Sequence, residues 1–240
     1  MKKIISILTL AILANCKLQT ANCQMMTTDN TSINISPGTQ VTVPGDVLNQ
    51  NGATIANNGT IDLTGNWIHN AANNCFGTSA GTVILNGTNQ TIGGNSSTLF
   101  NSLTLQGSGT KTLLISSSTG GSAGAGILDI GSRNLVLNSK TLSVTNSATN
   151  AIAFSTGYIT SEQADNSSKV TWSINAVTGP HAIPFGNGAG VQIPFTYNLS
   201  SGNAGNVTAS TYPTAANNTP LPSTPLAVSH IRNNLGLDNS

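Results

Sequence analysis

Charge is what this sequence has least of: 6% of its residues are Asp, Glu, Lys or Arg, against roughly a quarter in ordinary soluble domains. Aromatic residues make up only 4%, and there are three cysteines. Each shortage excludes something. Without basic clusters there is no electrostatic footprint for nucleic acid or for an anionic membrane surface. Without clustered carboxylates, general acid–base chemistry has few places to reside. The composition is not that of a disordered chain either, because disorder goes with low hydrophobicity and high net charge. Here 38% of residues are hydrophobic and the formal net charge is +1. A core of Leu, Ile and Val is therefore within reach, and Asn, Gly, Ser and Thr fill the remainder.

The N-terminus reads as an export signal. Lys2 and Lys3 precede an apolar stretch over 4–14, of signal-sequence length and short of the roughly 20 residues that span a bilayer. Ala21 and Cys23 supply small residues for cleavage before Gln24. A second reading of the segment is a lipoprotein signal ending at Leu13-Ala14-Asn15-Cys16. Cleavage before Gln24 leaves five basic residues against seven acids, a net charge of −2, and no transmembrane segment. It also leaves Cys75 alone, so no intrachain disulfide can form, and Cys75 is expected to be a small buried hydrophobe. The expected location is extracellular or on the outer cell surface.

Over 33–144 an apolar–x–apolar triplet recurs between Asn/Gly/Ser/Thr stretches. Examples are Ile33-Asn-Ile35, Val41-Thr-Val43, Ile61-Asp-Leu63, Val83-Ile-Leu85, Leu103-Thr-Leu105, Leu128-Asp-Ile130 and Leu142-Ser-Val144. Such alternation puts one side of each short strand into a core. Short, loosely regular spacing favours a parallel β-solenoid, in which stacked coils bury a continuous apolar interior. Asn at the turns suits such a stack, where amide side chains can bond from coil to coil. An antiparallel meander throughout is the alternative. Its best local hairpin is 83–92, turning at Asn86-Gly87, with Asn51-Gly52 and Asn58-Gly59 as further type I′ candidates. Beyond Ala151 the runs lengthen and Pro and aromatics rise, which predicts a small antiparallel sheet or sandwich. The expected division is a signal peptide over 1–23, a solenoid over 24–150, an antiparallel module over 151–228 and a tail over 229–240 that reads as truncated.

The stretch Asn57-Asn-Gly-Thr-Ile-Asp-Leu-Thr-Gly-Asn-Trp67 resembles the repeats of large surface proteins of Gram-negative bacteria that use type IX secretion. So do Gly81-Thr-Val-Ile-Leu-Asn-Gly-Thr-Asn-Gln-Thr-Ile92 and Phe100-Asn-Ser-Leu-Thr-Leu105. Gly157-Tyr-Ile-Thr160, Ile183-Pro-Phe-Gly186 and Ile193-Pro-Phe195 are similar to the module that follows those repeats. The resemblance implies an adhesin-like or structural protein. Its usual sorting domain is not recognised here, which favours a fragment.

The chemistry-bearing residues are few. Asp29, Asp46, Asp62 and Asp129 are the acids of the repeat region. Asp62 and Asp129, in the middle of their triplets, should point outward. A carbohydrate-active β-helix would need Asp46 with Asp62, or Asp129 with Lys111 and Arg133, to converge. His69, His181 and His230 lack the close spacing of zinc ligands. Gly107-Ser-Gly-Thr-Lys111-Thr112 only hints at a phosphate loop, because no Gly precedes the Lys and no helix follows. No catalytic, cofactor-binding or metal-binding residue is assigned, and no cofactor is implied. The expectation is a non-enzymatic secreted or cell-surface structural, adhesin-like protein, with surface polysaccharide or other cell-surface components as partner classes. A carbohydrate-binding or carbohydrate-active β-helix is the alternative. An ice-binding protein, which would need a flat Thr ladder, comes third.

Overall fold

The structure is a computed structural model of the 240-residue chain, and the residues described are 25–211 and 213, apart from Ala164 and Asn166. Among them the only regular elements are short strands, most of them three to five residues long. The alternating triplets explain both the brevity and the direction. In Thr60–Leu63 and Thr82–Leu85, Ile61, Leu63, Val83 and Leu85 are buried while the intervening residues are half-buried and face outward.

The strands stack into three faces of a parallel β-solenoid. The first carries seven strands: Met26–Asp29, Val47–Gln50, Trp67–His69, Gln90–Gly94, Thr110–Leu113, Asn134–Val136 and Tyr158–Thr160. The second carries six: Gln40–Val43, Thr60–Leu63, Thr82–Leu85, Ser102–Leu105, Leu128–Gly131 and Ile152–Phe154. The third is split. Ser32–Ile35 pairs with Thr54–Asn57, and a separate sheet begins at Leu99–Phe100 and continues through Ser117–Thr119, Thr141–Val144 and Lys169–Ser173. Six coils thus precede a seventh that begins at Tyr158. Register partners on the first face lie 20 residues apart from Val47 to Trp67 and 25 apart from Trp67 to Ile92. The surplus residues of longer coils leave at the corners, so the strands stay in register.

The parallel stack runs past Ala151, where an antiparallel module was expected to begin. Ile152–Phe154, Tyr158–Thr160 and Lys169–Ser173 all pair in parallel with the preceding coil. Antiparallel pairing starts only at the end of the stack. Asn206–Ala209 runs against Lys169–Ser173, and Gly179–Ile183 pairs with Phe195–Leu199. The longer, aromatic-bearing runs therefore close the stack: Trp172, Ile183 and Phe185 are buried there. Trp172 donates its Nε1–H to Asn146 O at 2.7 Å and meets the His181 ring edge-on at 4.9 Å. The tail expected over 229–240 lies outside the described residues.

The three Asn-Gly pairs expected to make hairpins, at 51, 58 and 86, do not make them. Thr82–Leu85 and Gln90–Gly94 belong to different faces, so Asn86-Gly87 turns a corner between them. Asn51 and Gly52 do adopt positive φ, 52° and 78°, as a type I′ turn would, but they too turn between two faces. Four of the five non-glycine residues with positive φ are Asn, the residue whose short amide best tolerates that region. Nor do the Asn side chains ladder onto one another. They satisfy backbone groups of the neighbouring coil: Asn66 Oδ1 accepts from Thr91 N at 2.8 Å, Asn89 Oδ1 from Thr110 N at 2.9 Å, and Asn138 Nδ2 donates to Leu113 O at 3.1 Å. At corners the chain leaves the ladder, and its N–H and C=O groups must be paired some other way.

Gly107 shows how closely the corners stack. Its φ is +66°, and a Cβ there would fall 2.2 Å from Gly87 O of the coil below. Gly107→Ala is expected to destabilise the protein by about 2 kcal/mol or more, since it meets both strain and a backbone clash. Gly188→Ala, with nothing within 4 Å of the added carbon, should stay within about 0.5 kcal/mol. Urea unfolding of both variants checks the contrast.

Candidate functional site

The acids of the repeat region are distributed along the coils and engaged in local structure. Asp29 accepts from Gln50 and Asn51 at 3.1 and 2.9 Å. Asp46 Oδ1 accepts the Asn66 N–H at a corner, 2.6 Å away. Asp62 faces outward on the second face and accepts from Gln40 at 3.3 Å, and Asp129 Oδ1 accepts from Gly131 N at 3.0 Å. Asp62 and Asp129 do share one outward row, through Ile84 and Thr104. They stand three coil steps apart, roughly 14 Å at the usual strand spacing. No Thr ladder of the kind ice binding would need forms in that row, since Asp62 and Ile84 stand between Thr42 and Thr104 and Asp129 follows. Arg133 bonds to Ser132 Oγ at 2.6 Å.

Lys111 does not join Asp129, because its side chain points into the solenoid and is fully buried. Its ammonium donates to Gly87 O and Gln90 Oε1, both at 2.7 Å, and reaches Thr88 O at 3.2 Å and Ser108 O at 3.3 Å. Gln90, stacked directly beneath it, accepts from Gly87 N at 2.7 Å and donates to Leu63 O at 3.1 Å and to Gly65 O. Two buried side chains thereby hold the corners of three successive coils. The hint of a phosphate loop is inverted: the lysine binds carbonyl oxygens of its own protein. Burial, and secondarily the Arg133 cation, pull the Lys111 pKa down to about 8. The phase of Thr110-Lys-Thr112-Leu113 carries the signal for this, since Lys111 is two residues from inward-facing Leu113.

A second polar column runs through Thr28, Asn49 and His69, stacked on the first face and all buried. His69 Nδ1 lies 3.1 Å from Ser97 O, and Nε2 has no partner among the described residues. Burial lowers its pKa from the ordinary 6.5. Cys75 is buried and free, as its lone occurrence implied, and burial pushes its thiol up to about 12. This removes thiolate reactivity at neutral pH. His181 is buried against Trp172, and His230 lies outside the described residues.

One concave feature stands out, and no single sequence motif marked it. At the corner between the first and third faces a groove of about 740 Å³ crosses coils three to six, lined among others by Asn73, Asn95, Ser97, Leu99, Ile115 and Lys140. It exists because coil three has no strand on the third face. Residues 70–81 loop out instead, and Cys75 O accepts the Ile55 N–H where a strand would sit. The loop forms one wall and is pinned from inside. Phe76 stacks on Trp67 at 5.2 Å, and Phe100 meets both rings at 5.5 and 5.8 Å. Trp67 Nε1 donates to Thr98 Oγ1 at 2.9 Å. Such ring pairs contribute about 0.5–1.5 kcal/mol each beyond their burial. Three of the few aromatics thus shape one wall.

No protein-family model, curated protein or solved structure matches this chain. Among the described residues no group of three or more His, Cys, Asp or Glu side chains is placed to hold a metal ion. No helix there is long and apolar enough to cross a membrane.

Two outcomes follow from the buried polar groups. Lys111→Met removes the donor for four oxygens and should cost about 2 kcal/mol or more, given the cost of buried unpaired acceptors; urea midpoints at constant m-value measure it. For His69 the folded pKa is depressed, so the unfolded chain takes up the proton first as pH falls. Its contribution is full above about pH 6.5, declines below that, and is lost once pH falls through the folded value. Thermal midpoints should therefore drop on acidification below about pH 6.5, and His69→Gln should flatten that part of the profile.

Proposed function

We propose that this chain is a non-enzymatic scaffold and contact module of an exported, adhesin-like surface protein, of the kind carried by Gram-negative bacteria with type IX secretion. The observation that carries the reading is the use made of the acids. Asp29, Asp46, Asp62 and Asp129 each accept hydrogen bonds from neighbouring residues of their own or the next coil, and Lys111, which a charged cluster with Asp129 would need, is buried away from them. A glycosidase needs two carboxylates facing one bond, about 5–10 Å apart, and Asp62 and Asp129, which share an outward row, stand roughly 14 Å apart. The outer surface is neutral and polar, which suits a module that spaces and presents contact surfaces. The repeat texture, the apolar stretch over 4–14 and the low charge support the same reading.

The test is turnover. The purified chain, incubated with a panel of plant, algal and bacterial polysaccharides, is expected to release no reducing ends or unsaturated products above background. Release that disappears in an Asp62→Asn, Asp129→Asn double variant would overturn the reading. Antibody labelling of intact cells of the source organism should find the chain outside the cell.

A further inference from the structure

The corner groove gathers polar side chains that are not bonded to the neighbouring coil. Most corner amides are spent on the neighbouring coil, as at Asn66, Asn89 and Asn138. In the groove, polar groups are left over. The Asn95 side chain, the hydroxyls of Ser96, Ser97 and Ser118, and the Lys140 ammonium make no side-chain hydrogen bond among the described residues, and Asn73 Oδ1 is buried without a partner. Between them the half-buried side chains of Leu99 and Ile115 form an uncovered apolar floor. Lys140 is the one charged residue that lines the groove among the described residues.

The shape and the chemistry restrict the occupant. The groove runs lengthwise across coils three to six, three steps of the stack, or roughly 14 Å at the usual strand spacing. Its volume is that of a ligand site. A peptide added as a strand is disfavoured, because Ser117–Thr119 and Thr141–Val144 are already paired on both sides, and the open edge at Leu99–Phe100 is two residues long with Phe76 of the loop packed against Phe100. Nucleic acid would need more than one cation. A row of free amides and hydroxyls over a narrow apolar floor fits sugar rings, which present hydroxyls that donate and accept at their edges and C–H groups on their faces. A single lysine at one end fits one acidic substituent.

We propose that this groove, from Asn73 to Lys140, is a binding site for a short stretch of acidic oligosaccharide lying along the stack, with a carboxylate or sulfate at Lys140. The site deepens the scaffold reading by naming the class of surface component that is contacted, and it rests on that reading only in treating the groove as non-catalytic.

The experiment is calorimetric titration of the full chain with hexagalacturonate, and with cellohexaose as the uncharged control, at low and high salt. The expected result is saturable binding of hexagalacturonate that weakens as salt rises. Lys140→Gln should weaken it by about three- to fivefold, the size of an exposed ion pair. Ser97→Trp, which places a bulky ring in the groove at an exposed position, should abolish it with the thermal midpoint unchanged. Arg133→Gln, a charge removed outside the groove, should leave it unchanged. No binding, tighter binding of cellohexaose, or equal binding by Ser97→Trp would overturn the proposal. None of these outcomes bears on the scaffold reading, which fails on turnover. Conversely, cleavage of hexagalacturonate during the titration would remove that reading while the groove variants still decide the site.

Discussion

A stack of short coils is held by its corners. Strands of three to five residues cannot define a fold by length, and at the corners, where the chain turns from one face to the next, backbone pairing from coil to coil continues only at some positions and leaves other donors and acceptors behind. Each unpaired group buried away from water costs on the order of 1–3 kcal/mol, which over six coils would exceed the net stability of a typical domain. Corner pairing from one coil to the next is therefore the constraint on which the rest depends. Backbone bonds between coils supply part of it, as from Gly65 N to Gly45 O and from Ser108 N to Gly87 O, and Asn, Gln and Lys side chains supply the rest, reaching up or down one coil to backbone N–H and C=O groups. The abundance of Asn and the near absence of charge have the same origin. A corner stacked on another corner is half dry, so it favours neutral amides with both donor and acceptor over ions that must be desolvated.

The exception is instructive. Lys111 is a cation inside the solenoid, and it is tolerated because four oxygens converge on its ammonium while Gln90 bridges it to the corner below. It replaces a set of separate side-chain caps with a single point of attachment. Its cost is the desolvation that lowers its pKa, and its return is the closure of two Gly-rich corners, where glycine backbones approach too closely for larger side chains. The aromatics are used in the same economical way, with Trp67, Phe76 and Phe100 gathered where the third face lacks a strand. That lost strand, and the loop pinned in its place, produces the groove. Where the third face is broken the surface becomes concave and carries amides and hydroxyls not bonded to the neighbouring coil.

Much of the fold was legible in the residues. Most apolar triplet positions from Ile35 to Val144 are buried, because a period of two leaves only two ways to orient a strand; Val41 is only half-buried, and Ile115, which closes the further triplet Leu113-Leu-Ile115, lines the groove instead. The outward placing of Asp62 and Asp129 and the burial of Cys75 followed from the same logic. Other readings did not survive folding. Asn-Gly pairs signal a turn but not what the turn connects, so 83–92 read as a hairpin although its strands lie on different faces. Longer aromatic runs signal a change of texture but not a change of pairing, and the parallel stack passed through residue 151 to Ser173 before antiparallel strands closed it.

By itself, then, the sequence determined strand length, strand polarity and the neutrality of the surface, since these depend on neighbours one or two residues away. Only the tertiary structure decided which face each strand joined, which oxygens the inward-pointing Lys111 binds, and that Asn73, Ser97, Ile115 and Lys140 border one groove. Those residues lie on four coils, and register partners on successive coils are 20 to 25 residues apart on the first face. Periodicity within a coil carries no information about the loop that breaks the third face. The groove exists because one coil gave up a strand, and that choice becomes visible only when the coils are stacked.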